Sequence, residues 1–417
     1  MLRSIKIRLP NSTFSQRVRV IRTFSLSSST NSSSPSTPSL TSTHNHNFAS
    51  NILQLSKARL SSLVVTTTAF GYLASGLPPS TTTLSLLTAS CVGTALCASS
   101  ASAINQILEI DLDKKMIRTK NRPLPSGSAS PLFAKSLALT TGVAGTSMLA
   151  LCTNPVTAAL GAGNIALYGF AYTLMKTRSE WNTWVGAVVG AVPPVMGWTA
   201  ATYATGGSPF DPESLFLGSS LFLWQFPHFF ALNWMYREDY RRGGFQMVSV
   251  NDPDGTRTSN LITNYSIVLA ALPFLAVWEN LTSGMFLVEG TVLNAYLLYT
   301  AHRFREDKSN KNARGVFLAS LGYLPCFMIA FVLHSRKWDA VVGGEEEMSL
   351  EERKLIRRGT LKEGEGEKEI NWSTFENVDS IIRSVREKGR EFCVHENHLF
   401  NEKLEWLCPV QVSSSKK

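Results

Sequence analysis

The densest chemistry in this 417-residue chain lies between residues 105 and 125, where Asn105, Glu109 and Asp113 recur at intervals of four. Arg118 and Arg122 follow, and then Pro123 and Pro125. At about 100° per residue, the first three side chains fall within roughly 80° of arc on one helix face. Three oxygen ligands stacked over two turns suit a hard cation. Mg2+ takes one or two carboxylates and fills its remaining positions with water and substrate phosphate. Arginine is the bidentate partner of diphosphate oxygens, and the prolines stop the helix. An ordinary charged helix end at a membrane surface would use the same residue types. The order of amide, carboxylate, carboxylate, arginine and proline weighs against that reading.

A second cluster runs Trp224-Gln225-Phe226-Pro227-His228, then Arg237-Glu238-Asp239-Tyr240 and Gly243-Gly244. If one helix runs through it, His228 and Asp239 lie eleven residues apart and about 20° apart on one face. Glu238 and Asp239 are then expected at the membrane edge, facing the first cluster, with His228 about three turns deeper. Pro227 is an expected bend. His228 is read either as an active-site group or as a packing residue with one hydrogen bond. A third element carries Tyr172, Thr173, Lys176 and Arg178 ahead of Gly186 and Gly190. Lys176 is expected to reach a diphosphate, and the glycines to let helices approach closely.

These residues sit at the ends of long apolar runs. Nine runs are expected to be membrane spans: 60–76, 84–104, 132–151, 156–175, 184–205, 214–235, 260–279, 285–301 and 315–335. Each is near the roughly 20 residues that cross a hydrocarbon core as a helix. Breaks after the first, third, fifth and seventh runs hold no Lys or Arg, whereas the others carry Lys114, Arg118, Lys176, Arg178, Arg237, Arg241, Arg303 and their neighbours. This asymmetry puts the N-terminus and the basic loops on one side of the membrane. Arg336 and Lys337 run against it.

Residues 1–108 contain no Asp or Glu, and Arg3, Arg8, Arg17, Arg19 and Arg22 precede a Ser/Thr/Asn-rich stretch. That is the composition of a mitochondrial transit peptide, expected over residues 1–46. It is unlike a nucleic-acid-binding arm, and no nucleic-acid partner is expected. A membrane domain is expected over 47–335 and a polar tail over 336–417, with a short amphipathic helix at 376–393. The six cysteines include no CxxC pair, which indicates neither a zinc site nor a disulfide framework.

The chain resembles the UbiA superfamily of intramembrane prenyltransferases, and within it the branch that farnesylates protoheme. The resemblance is carried by Leu55-Ser56-Lys57-Ala58-Arg59-Leu60 and by Asn105, Glu109, Asp113, Met116, Arg118, Thr119, Arg122, Pro123 and Leu124. It continues through Tyr172-Thr173 with Lys176, Gly186-Ala187 with Gly190-Ala191 and Pro193-Pro194, Trp224-Gln225 with Pro227-His228-Phe229, and Asp239-Tyr240 with Gly243-Gly244. Glu109 stands where most of the superfamily has Asp, and the second acidic motif keeps only Glu238-Asp239. Both are features of the heme branch, against chlorophyll, ubiquinone or tocopherol synthesis.

The resemblance implies an all-α bundle of nine transmembrane helices in the mitochondrial inner membrane, with its site between helices near the matrix face. It implies Mg2+ on Asn105, Glu109 and Asp113, with Glu238 and Asp239 as further ligands. Arg118, Arg122 and Lys176 would neutralise the diphosphate leaving group. Lys57, Arg59, Tyr172, Trp224 and His228 would contact substrates, His228 meeting the porphyrin. The substrates would be heme B and farnesyl diphosphate, and the partners the lipid bilayer and heme A synthase or cytochrome oxidase assembly factors. Three other readings remain beside it: an aromatic prenyltransferase of quinone biosynthesis, a secondary transporter, and a heme-binding scaffold without catalysis.

Overall fold

The computed structural model describes residues 41–338, of which those from Asn45 onward belong to one compact unit. The expected transit segment before residue 41, the tail beyond residue 338 and the expected helix at 376–393 lie outside the described residues. Within them, helices follow one another: α1 (Thr41–Leu55), α2 (Ala58–Leu73), α3 (Thr81–Leu108), α4 (Ile110–Lys115), α5 (Pro131–Cys152) and α6 (Pro155–Ala166). A π-helical turn, Leu167–Tyr172, joins α6 to α7 (Thr173–Met175). Then come α8 (Asn182–Thr202), α9 (Pro212–Met235), α10 (Arg237–Gly243), α11 (Thr256–Ala270), α12 (Leu272–Trp278), α13 (Gly284–Glu306) and α14 (Asn310–His334). No strand longer than an isolated bridge forms among the described residues.

Local chemistry sets the helix starts. Ser80 accepts from the Thr83 N–H at 3.1 Å while the Thr83 hydroxyl accepts from the Ser80 N–H at 2.7 Å, a reciprocal cap on α3. Asn154 caps α6, with Pro155 in the first turn, where a missing N–H costs nothing. Its Oδ1 accepts from the Thr157 N–H at 2.8 Å, and its Nδ2 donates to the Thr199 carbonyl of α8 at 2.9 Å. One side chain thus ends one helix and ties it to another.

Each expected apolar run coincides with a helix or with a pair continued across a break. Six of these, α3, α6 with α7, α8, α9, α11 with α12, and α14, are long and apolar enough to cross a membrane. The outer faces carry large exposed apolar side chains, among them Leu132, Leu139, Leu151, Trp278 and Val292. Lipid is the solvent that suits such faces. At the end of the bundle away from the basic loops, Lys337 pairs with Glu213 at 2.9 Å and the Arg336 N–H donates to the Leu281 carbonyl at 3.0 Å. That pairing accounts for a basic residue on the side where the sequence has few.

The tightest seam joins α2 to α8. A Cβ added at Gly71 would stand 1.9 Å from the Pro194 carbonyl oxygen, and one added at Gly197 would stand 1.9 Å from that of Thr68. Backbone meets backbone there, as small residues permit in membranes. Gly197→Ala must therefore push the two helices apart. The expected loss is about 2 kcal/mol, read as a lower thermal midpoint of the purified protein in detergent. Gly163→Ala, whose added Cβ meets nothing within 4 Å, is the control and should leave the midpoint unchanged or higher.

Candidate active site

The basic ends of the helices enclose an open pocket whose empty space, mouth included, is about 760 Å³. Asn105, Glu109 and Asp113 form one wall and are at most 3 % exposed. They do not share one uninterrupted helix, as the spacing suggests. α3 ends at Leu108, Glu109 turns out of helical geometry (φ −101°, ψ 9°), and α4 begins at Ile110. The row survives because the Glu109 N–H still bonds the Asn105 carbonyl (3.1 Å) and the Asp113 N–H that of Glu109 (2.8 Å).

Each of the three meets a cation brought by a different element. Lys57 Nζ donates to Asn105 Oδ1 at 2.6 Å and to the Tyr168 hydroxyl at 3.1 Å. Lys57 has left-handed backbone geometry (φ 46°), uncommon for a side chain with a Cβ, where the chain turns from α1 into α2. Lys176, just past α7, pairs with Glu109 at 2.7 Å. Arg122 pairs with Asp113 Oδ2 at 2.8 Å, and Asp113 Oδ1 is buried without a partner. Asn105 Nδ2 donates to the Thr173 hydroxyl at 3.0 Å, so the amide is fixed with its oxygen towards Lys57. Arg118 completes the basic lining, with its guanidinium over the Tyr236 ring (4.8 Å) and donating to the Tyr240 hydroxyl (3.2 Å).

These charges shape one another. Burial, with help from Arg122 and Lys176, brings the Lys57 amine from 10.5 down to about 7. Burial works against the charge of Glu109 as well, yet Lys176 and Lys57 outweigh it and hold the carboxyl below its ordinary range. Burial opposes the charge of Lys176 too; Tyr172 and Glu109 overcome it and raise the amine above its usual value.

Of the residues singled out from sequence, Lys57, Asn105, Glu109, Asp113, Arg118, Arg122, Tyr172 and Lys176 line the pocket together. Others stand outside its lining. The helix expected to carry His228 and Asp239 on one face breaks at Tyr236 (φ −110°, ψ 18°), which resets the face of α10 relative to α9. Asp239 is a backbone clamp: Oδ1 accepts from the Ile117 N–H at 2.8 Å and Oδ2 from the Arg118 N–H at 3.1 Å. Glu238 is 62 % exposed and bonded to Arg241. His228 faces α14, its Nδ1 2.9 Å from the Ser320 hydroxyl and its ring stacked on Trp224 at 4.8 Å. Trp224 donates to the Ser320 carbonyl at 2.7 Å, and Arg59 is likewise outside the lining. Phe229, Leu232 and Asn233 are the residues that α9 turns to the pocket.

Tyr168 and Phe245 line the pocket without having been signalled by the sequence. The π-turn puts the Tyr168 ring against Tyr172 (centroids 5.3 Å apart) and its hydroxyl on Lys57. No spacing rule signals one wide turn inside an apolar run, although such turns recur at functional sites. Among the described residues, no three His, Cys, Asp or Glu side chains form a metal-binding group. The donors that could hold a hard cation are the two carboxylates with the Asn105 amide. Asp113 Oδ1, buried and without a partner, is the acceptor such an ion would satisfy.

Residues 63–322 match the UbiA prenyltransferase family. The chain is 45 % identical over 286 residues to the mitochondrial protoheme IX farnesyltransferase of Homo sapiens, covering 68 % of this chain and 62 % of that one. It is 39 % identical over 281 residues to the protoheme IX farnesyltransferase of Solibacter usitatus, covering 66 % of this chain and 94 % of that one. The chain spans less than two thirds of the length of the mitochondrial relatives it matches. A solved digeranylgeranylglyceryl phosphate synthase shares the fold with a TM-score of 0.57 at 14 % identity, covering 70 % of this chain and 99 % of that one.

The Lys57 environment sets a pH dependence. In the empty pocket its amine loses its proton near pH 7. An anion beside it favours the protonated form, so above about pH 7 binding takes up a proton and affinity falls as pH rises, by at most about tenfold per unit. Calorimetry of inorganic pyrophosphate binding, in buffers of different protonation enthalpy, should read proton uptake at pH 8.5. Lys57→Arg, charged throughout, should abolish that uptake.

Proposed function

The chain belongs to the UbiA prenyltransferase family, and from that premise we propose that it transfers a farnesyl group from farnesyl diphosphate to a vinyl group of heme B, making a hydroxyethylfarnesyl heme. The observation that carries the reading is the paired row: Asn105, Glu109 and Asp113, each against its own cation, in a pocket at the basic end of an apolar bundle. The near-complete coverage of a bacterial protoheme IX farnesyltransferase supports the choice of substrate. Shortage of carboxylates at the second acidic motif, where Glu238 is exposed and Asp239 holds backbone, favours the heme reading over a quinone-type prenyltransferase. Clustering of the charges at one end of the bundle disfavours a transporter, whose sites lie near the midplane.

Asn105, Glu109 and Asp113 would hold Mg2+, which when bound supplies positive charge to the diphosphate oxygens. The chain's own residues do the rest. Lys57, Arg118, Arg122 and Lys176 face the diphosphate from several sides and stabilise the negative charge that grows as its C–O bond breaks. Lys176 is pre-oriented by Glu109 and by the Tyr172 ring, 4.5 Å from its Nζ. Tyr168, Tyr172, Phe229 and Phe245 present aromatic faces to the allylic cation and keep bulk water out. The vinyl π pair then forms the new C–C bond. Asp239 acts through the loop it clamps, by fixing the backbone from which Arg118 reaches the pocket.

We further propose that all nine apolar runs cross the mitochondrial inner membrane with the pocket on the matrix side. Residues 1–46 would then be the targeting segment and residues 336–417 a polar tail. The acid-free, arginine-bearing N-terminus and the alternation of basic loops support this. Heme A synthase and oxidase assembly factors are the partners this role calls for.

The test is to incubate the purified protein with heme B, farnesyl diphosphate and Mg2+ and to weigh the porphyrin by mass spectrometry. The expected gain is one farnesyl group plus one water. Asp113→Asn should lower the rate by about 100-fold or more. An unmodified porphyrin, with prenylation of a hydroxybenzoate instead, would transfer the assignment to the quinone class.

A further inference from the structure

A second cavity lies next to the pocket and shares one wall with it, the Tyr168 side chain. It is a slot between α2, α3, α6 and α8, walled by Leu60, Val64, Ala101, Ile165, Pro193 and Met196. Within these apolar walls stand polar groups that the protein leaves unserved. Thr94 is 3 % exposed, and its hydroxyl has no partner. Thr67 and Thr199, by contrast, bond back to carbonyls of their own helices at 2.7 and 3.1 Å. Asn164 Oδ1 is buried without a partner. Ser102, 5 % exposed, likewise makes no hydrogen bond.

Two of these groups are placed next to the chemistry. Ser102 precedes Asn105 by three residues on α3, and Asn164 precedes Tyr168 by four. Each is therefore about one turn, roughly 5 Å, deeper than the pocket residue that follows it. That puts both beside Asn105 and Tyr168, at the inner edge of the pocket. A hydrocarbon tail filling the slot would leave the hydroxyls and the amide oxygen buried without partners, which native structures rarely tolerate. Water would satisfy these groups where a hydrocarbon cannot.

We infer that the slot holds water, and that Ser102 and Asn164 bind the molecule that completes the reaction. This rests on the heme-farnesylation reading. There, the vinyl π pair bonds to the allylic carbon as diphosphate departs, and the positive charge moves to the vinyl carbon attached to the ring. The water oxygen forms a C–O bond to that carbon, and its proton passes to the departed diphosphate. If no water is held in place, the same cation sheds a proton from the neighbouring carbon. The product is then an alkene one water lighter.

The product ratio tests the idea. The full-length protein and its Ser102→Ala, Asn164→Val and doubly substituted variants are given heme B, farnesyl diphosphate and Mg2+, and the porphyrins are separated by mass. The ratio of alkene to alcohol should rise at least tenfold in the double variant and by less in each single one. Ser102→Thr, which keeps a hydroxyl, should restore it. Should the double variant not fold, the single variants carry the same comparison. An unchanged ratio, accompanied by weaker use of farnesyl diphosphate, would make the slot a seat for the hydrocarbon tail and overturn the inference. A wild-type protein that yields no farnesylated heme overturns the parent reading, and this one with it.

Discussion

Charge that is buried must be matched, and the architecture at the basic end of this bundle follows from that rule. Three oxygen-bearing side chains in one row would be costly at the edge of an apolar bundle if left alone. Each is matched by a basic side chain from a different segment: the α1–α2 junction, the residue after α7 and the loop after α4. The row therefore works as a spine onto which three otherwise independent elements dock. Its members are fasteners by position, and under the proposed function they would be metal ligands as well.

That double role bears on how a substrate is received. A basic side chain that already has a partner is oriented before any anion arrives, so little side-chain freedom would be lost on binding. Under the proposed reaction, Lys57, Lys176 and Arg122 would turn their hydrogen bonds to the diphosphate, and the oxygens of the row would be free to hold a metal ion. The two carboxylates offset only part of the charge of the four basic side chains, so the pocket keeps a positive excess that favours an anion. Asp239 extends the same principle to the backbone, since its two oxygens take two N–H groups that the loop at residues 117–118 would otherwise leave unpaired.

Much of this was legible in the sequence, and the parts that were not share a cause. Apolar runs and basic loops follow from composition, and the four-residue spacing of Asn105, Glu109 and Asp113 placed them on one face even though the helix breaks at Glu109. Interruptions at Glu109 and Tyr236 were invisible because no Gly or Pro marks them; tertiary contacts fix where those helices end. The second break separated Asp239 from His228, whose expected alignment assumed an unbroken helix. His228 turned instead to Ser320 and Trp224, partners from its own helix and from α14 that no local pattern names. Tyr168 was overlooked because a wide turn changes which residues share a face without changing residue types.

The wide turn at Leu167–Tyr172 also separates two registers. Upstream, α6 is phased by its neighbours, with Asn154 and Thr157 fixed on Thr199 of α8. Downstream, Lys176 is phased by Glu109. A regular helix would make one phase dictate the other, leaving the amine wherever the packing of α6 happened to aim it. The loose turn uncouples them, as a slipped tooth does between two gears. Each half of the segment can therefore answer to its own partners, α6 to Thr199 and the pocket end to Glu109.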